Sequence, residues 1–153
     1  MADSLDLFGN ADAPAAAAHG GGRLTTAVVP DSQRLNFLPR HFGGDMIVGE
    51  AAVYGSMKMI CPSYHGGFWD FVEVSNGAFY MRLQTDGTLA MDLSSGNGYS
   101  GQMSADAAGI TATLFALNQM VWDGSEKLAD AFYLLREFAA QHPEFREIFG
   151  AID

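Results

Sequence analysis

The chain has a single cysteine, Cys61, which excludes an internal disulfide framework and any multi-cysteine zinc site. A lone thiol agrees with a reducing compartment, and a cytoplasmic protein is expected. Basic residues are scarce as well: eight Lys and Arg stand against 18 Asp and Glu, a formal net charge of −10. Nucleic-acid binding through phosphate neutralisation needs clustered basic side chains, so no direct contact with DNA or RNA is expected. No apolar run approaches the roughly 20 residues of a membrane span. The N-terminus has neither the basic stretch nor the apolar stretch of a secretory leader. The histidines, His19, His41, His65 and His142, show no ligand-pair spacing, so no metal is expected. Gly66-Gly67 and Ser95-Gly96-Asn97-Gly98 lack the Lys and Ser or Thr of a phosphate loop and read as turns, and no cofactor is expected.

What is present reads as globular. Hydrophobic residues make up 48% of 153 and charged ones 17%, enough for one domain with a substantial core. Residues 1–29 read as a flexible tail, because Ala13 to Gly22 is mostly alanine and glycine. Inside it, Leu5, Leu7 and Phe8 resemble the short peptide by which replication and repair proteins dock on the bacterial sliding clamp. A replisome- or repair-associated adaptor using that motif is one reading of the protein.

The folded part is expected to begin near Pro30, with a short helix capped by Asp31 and stopped at Pro39. A second helix is expected from Gly44 to Ile60, ended by Pro62. Phe68–Val74, Ala78–Leu83 and Thr88–Leu93 have strand character, with turns at Asn76-Gly77 and Asp86-Gly87, and Tyr99–Met103 is a possible fourth strand. Ser104 is a good N-cap for a helix over 105–122 that is apolar on nearly every side and therefore central. An amphipathic helix over 126–141 and a short one after Pro143 complete the chain. The class is α+β: a small antiparallel meander of about three to four strands packed against about four to five helices.

The segment Cys61-Pro62-Ser63-Tyr64-His65-Gly66-Gly67-Phe68-Trp69-Asp70-Phe71 gathers a thiol, an imidazole, a phenol, an indole and a carboxylate around two glycines. Cys61, His65 and Asp70 supply the residue types of a cysteine hydrolase. The spacing opposes it, because Pro62 and the glycine pair keep the thiol and the imidazole off a common helical face. No catalytic residue is assigned. A partner-binding patch fits better, built from Tyr64, His65, Trp69, Asp70 and Tyr80 on the loop and the first hairpin. The acidic residues are scattered singly and interrupted by Lys127, Arg136 and Arg146, which is a solvated surface rather than an imitation of DNA phosphates.

From Pro30 to Asp153 the chain resembles the ArdB/KlcA antirestriction family. The resemblance rests on Gln33-Arg34-Leu35-Asn36-Phe37-Leu38-Pro39-Arg40, Ser63-Tyr64-His65-Gly66-Gly67-Phe68-Trp69, Ser75-Asn76-Gly77-Ala78-Phe79-Tyr80, Asn97-Gly98-Tyr99-Ser100-Gly101 and Ser104-Ala105-Asp106-Ala107-Ala108-Gly109. It implies an antirestriction domain over 30–153 and a mobile-element protein that counters host type I restriction, with no catalytic residues to carry over. The expected partner is the restriction complex or a host factor associated with it, contacted through protein–protein interaction.

Overall fold

The computed structural model describes residues 22–153; the Leu5, Leu7 and Phe8 motif lies outside them. Ordered structure begins before Pro30. Strand β1 (Thr26–Val28) pairs antiparallel with β2 (Trp69–Val74), and β2 pairs antiparallel with β3 (Phe79–Leu83), giving a sheet in the order β1-β2-β3. The part of the expected tail from Thr26 to Val28 is therefore a sheet strand. Its short, wholly exposed pattern offered no periodicity by which the sequence alone would reveal it.

The expected meander is divided in two. Asn76-Gly77 makes the β2–β3 turn, Gly77 at φ 95°, but β3 does not pair with the strand that follows. Strands β4 (Thr88–Leu93) and β5 (Tyr99–Ser104) form a separate two-stranded sheet. The outer edge of β3 is taken instead by helix α3 (Ala105–Trp122), where the Met81 N–H donates to the Thr113 hydroxyl at 3.2 Å. A helix side chain thus covers an edge that would otherwise seek another strand. The approach is close because Gly109 has no side chain: a Cβ there would lie 2.3 Å from the Met81 carbonyl oxygen.

Helix α1 (Arg34–Phe42) follows a 3-10 turn over Asp31–Gln33, and α2 (Met46–Ile60) follows another over Gly43–Asp45. Pro39 sits inside α1 rather than ending it. The missing N–H costs up to about 3 kcal/mol, but the turn beyond it carries Phe42, 1% exposed, into the core. Burying a phenylalanine contributes a similar amount. Asp31 does not cap α1: it opens the 3-10 turn, and the residue at the start of α1 is Gln33, which makes no side-chain capping bond.

Helix α3 is the centre of the molecule, with buried residues on all its sides and Ser104 as its cap, the hydroxyl accepting the Ala107 N–H at 3.1 Å. Helix α4 (Ala129–Gln141), entered through a 3-10 turn over Glu126–Leu128, and α5 (Phe145–Ile152) pack against it. No helix among the described residues is long and apolar enough to cross a membrane.

Candidate functional site

Both faces of the β2–β3 hairpin are covered, and this decides where the expected patch residues lie. Trp69 and Phe71 point toward α1 and α2: Phe71 stacks on Phe37 at 4.4 Å, and Trp69 packs at 5.2 Å from Tyr54. The Trp69 indole N–H donates to the Tyr64 hydroxyl at 3.3 Å, so these two of the five patch residues touch. The register pairs Asp70 with Arg82 and Val72 with Tyr80, placing Asp70 and Tyr80 together on the opposite face. Trp69 and Tyr80 are 2% and 1% exposed and act as core. His65 and Phe68 remain exposed on the loop before β2.

On the Asp70 face the side chains assemble a polar network around Asp106, in the first turn of α3. Its Oδ1 accepts the Tyr80 hydroxyl at 2.8 Å and an Arg82 N–H at 2.6 Å. Its Oδ2 lies 2.8 Å from His142 Nε2. The Glu144 N–H donates to His142 Nδ1 at 3.0 Å, so Nδ1 is the acceptor and Nε2 carries the proton given to Asp106. Burial works to raise the Asp106 pKa, but the bonds from His142, Arg82 and Tyr80 outweigh it and hold the carboxyl at about 2. Burial, reinforced by the Asp106 charge, pushes the Tyr80 hydroxyl well above its ordinary range. Arg82 also reaches Asp70 at 3.4 Å, and Asp70 accepts from the Gln84 amide at 2.8 Å. Glu144 closes the circle by accepting both the N–H and the hydroxyl of Ser104.

Two hollows open beside this network. One, about 540 Å³, is lined by Asp70, Arg82, Gln84, Asp86 and the start of α3; the other, about 450 Å³, lies toward Arg23, Gln141 and Pro143. Arg82 and Asp106 border both. Gln84, on the wall of the larger, ties the loop before β2 to the end of β3, its N–H donating to the Phe68 carbonyl at 2.8 Å. Gly67, at φ 141°, lets the loop lie on Leu83: a Cβ there would come within 2.8 Å of the Leu83 side chain. Arg34 fixes the loop from the other side, its guanidinium 4.4 Å from the Phe68 ring and 4.3 Å from Phe71.

The hydrolase residues do not form a catalytic group. Cys61 is fully buried with Ser63 Oγ 3.5 Å from its sulfur, His65 is exposed on the loop, and Asp70 is bonded to Arg82 and Gln84. Among the described residues no group of three or more His, Cys, Asp or Glu is placed to hold a metal ion. Sequence reasoning missed Arg82, Gln84, Asp106 and His142 as members of one cluster. The i, i+2 spacing of Tyr80 and Arg82 was the signal available, since alternation puts both on one sheet face. His41 is likewise engaged, its Nε2 2.7 Å from Glu73, which also accepts from Arg40 at 2.6 Å. Burial lowers the His41 pKa despite that carboxylate.

Comparison with known proteins gives this arrangement its relatives. A model of the antirestriction protein family matches residues 62–153. An antirestriction protein KlcA of Escherichia coli is 47% identical over 82% of this chain and 90% of its own length. A second KlcA from the same species is 42% identical over 85% of this chain and 95% of its own length. A solved structure superposes with a TM-score of 0.80 at 43% identity, covering 86% of this chain and 96% of that one. It comes from work describing KlcA and ArdB as having a novel fold and antirestriction activity against type I DNA restriction systems in vivo but not in vitro. On a family match over more than half its length, and relatives this similar end to end, the chain belongs to the antirestriction protein family.

Proposed function

We propose that the chain counters host type I restriction by binding a protein partner, without catalysis, and that the recognition face is the His65–Phe68 loop together with the adjoining Asp70–Arg82 cleft. The observation that carries this reading is the commitment of the cleft's charged groups to one another. Asp106 accepts three bonds and Arg82 is shared between two carboxylates, so neither is left as a base or a nucleophile. What remains open is a fixed polar cleft and, outside its walls on the loop before β2, the Phe68 ring, 54% exposed. A partly apolar anchor beside pre-paired charges suits protein contact, where it gives area and orientation without a large ordering cost. The same pairing speaks against DNA, since Arg82 and Arg40 are already neutralised by carboxylates.

The relatives' activity in vivo but not in vitro favours a cellular component over the restriction enzyme alone as the direct partner. A host factor associated with the restriction complex fits that difference. The test is phage plating on cells with an active type I system, comparing the unaltered chain with a His65→Ala/Phe68→Ala variant at matched expression. Two contact truncations of about 1 kcal/mol each weaken binding about 30-fold. His65 is exposed and Phe68 half exposed, so the variant should remain folded, losing about 1 kcal/mol at most with the Arg34 contact, while restriction returns. Full protection by a correctly folded variant would remove the loop from the mechanism.

A further inference from the structure

Among the described residues, helix α2 leaves one face uncovered. Val48, Gly55 and Met59 are seven and four residues apart, which stacks them on one line of an α-helix. Ala51 and Ala52 flank the line. Val48 is 61% and Met59 66% exposed, with Ile47 beside them at 75%. A Cβ at Gly55 would meet nothing within 4 Å. The line ends at a hollow of about 310 Å³ whose walls include Met59, Leu93, Phe115 and Ile152. Asp92 and Asp153 line the same hollow, and among the described residues no Lys or Arg does; Lys58, next to Met59 in sequence, is not among its walls.

We propose that this face is a docking groove for one amphipathic helix of a partner protein. Its apolar ridge lies along α2, a large apolar side chain fills the hollow, and Lys or Arg meets Asp92 and Asp153. Small residues at the middle of a helix face let a second helix approach closely, while large ones at the ends supply contact area. The charge chooses the occupant. A second copy of this chain would set a net charge of −10 against another −10, with the same acidic groups at the hollow, whereas a helix with basic flanks meets a complementary rim. An anionic lipid surface is repelled for the same reason.

The experiment uses the purified full chain and a synthetic helical peptide of about 18 residues (five turns), with leucines on one face and lysines at the ends. Binding is followed by the methyl resonances of labelled methionines. The expected result is a saturable shift of the Met59 methyl. Two changes should each weaken binding about tenfold or more: Gly55→Gln in the protein, and Glu for Lys in the peptide. Gly55→Gln should leave the melting temperature unchanged or raised, since the side chain enters open space on an exposed helix. The proposal is overturned if the Glu-flanked peptide binds equally well, if Gly55→Gln has no effect, or if Met59 does not respond at millimolar peptide. It is also overturned if the protein dimerises and Gly55→Gln makes it monomeric, which would assign the face to a second copy. Because the readout is direct binding at α2, it does not depend on the outcome of the His65→Ala/Phe68→Ala plating test.

Discussion

Gly109→Ala should destabilise the protein by about 2–3 kcal/mol, and its melting temperature should fall by about 5–10 °C. The added methyl carbon would sit 2.3 Å from the Met81 carbonyl oxygen, 2.7 Å from Arg82 Cβ and 2.8 Å from Arg82 Cα. Two of those atoms are backbone in a paired strand, so no rotamer change relieves the clash. Alanine's better helix propensity offsets about 1 kcal/mol of the cost and does not reverse it. Gly55→Ala supplies the opposite case: the same substitution in a helix, with no neighbour within 4 Å, should raise stability by about 0.5–1 kcal/mol. Thermal unfolding followed by circular dichroism measures both. A Gly109→Ala variant melting at or above the parent would mean that α3 does not seat on β3 as described. The consequence reaches the cleft. Asp106 lies one turn before Gly109, and Arg82 lies next to Met81, so lifting α3 off β3 pulls apart the ion pair that borders both hollows.

That seating also explains which parts of the structure were legible in the sequence. The limits of α3 were readable because local chemistry sets them: Ser104 caps one end, and Asp123-Gly124 breaks the other. The β2–β3 hairpin was readable from Asn76-Gly77 for the same reason. Asp86-Gly87 was expected to make a second hairpin turn; it is instead a bend, Gly87 at φ 77°, between two strands that do not pair. It does not continue the sheet, because α3 occupies the edge of β3 that a further strand would need. Competition between a helix and a strand for one edge is a tertiary fact, and no window of sequence contains it.

The candidate site shows the same division. Strict alternation along this segment puts Trp69 and Phe71 on one face and Phe68 and Asp70 on the other. It holds within β2 for Trp69, Asp70 and Phe71, but Phe68, before the strand begins, turns its ring to Arg34 beside Phe71. Choosing which face was core and which was surface was not possible from alternation, because α1 and α2 cover one and α4 with the start of α3 covers the other. Trp69 and Tyr80, expected to help form a partner-binding patch, are therefore buried. His142 satisfies a local backbone group at its helix junction by accepting the Glu144 N–H. Its second nitrogen reaches Asp106, 36 residues away in sequence. A bond of that range becomes visible only once α3, α4 and α5 are packed.

Asp106→Asn should cost about 2–3 kcal/mol at neutral pH, and the cost should shrink in acid. Replacing the carboxylate leaves Arg82, Tyr80 and the His142 N–H facing an amide that carries no charge and brings donors of its own. Breaking a fully buried pair costs about 3–5 kcal/mol; Asp106 is 29% exposed, so the expected figure is lower. The sign of the pH dependence follows from the depressed pKa. Burial favours protonation of Asp106, yet the bonds from His142, Arg82 and Tyr80 hold its pKa at about 2 in the folded state, against the ordinary 3.8. Its contribution is then complete above about pH 4 and is lost as the pH falls toward 2, a change of about 2 kcal/mol. Urea unfolding of parent and variant at about pH 4 and 2.5, both below the range in which histidine titrates, should show a gap that is smaller at the lower pH. Other carboxylates titrate alike in both proteins and cancel from the difference. A gap that persists unchanged at the lowest pH would show that the Asp106 charge does not hold the cluster together, and that the neutral hydrogen bonds alone carry it.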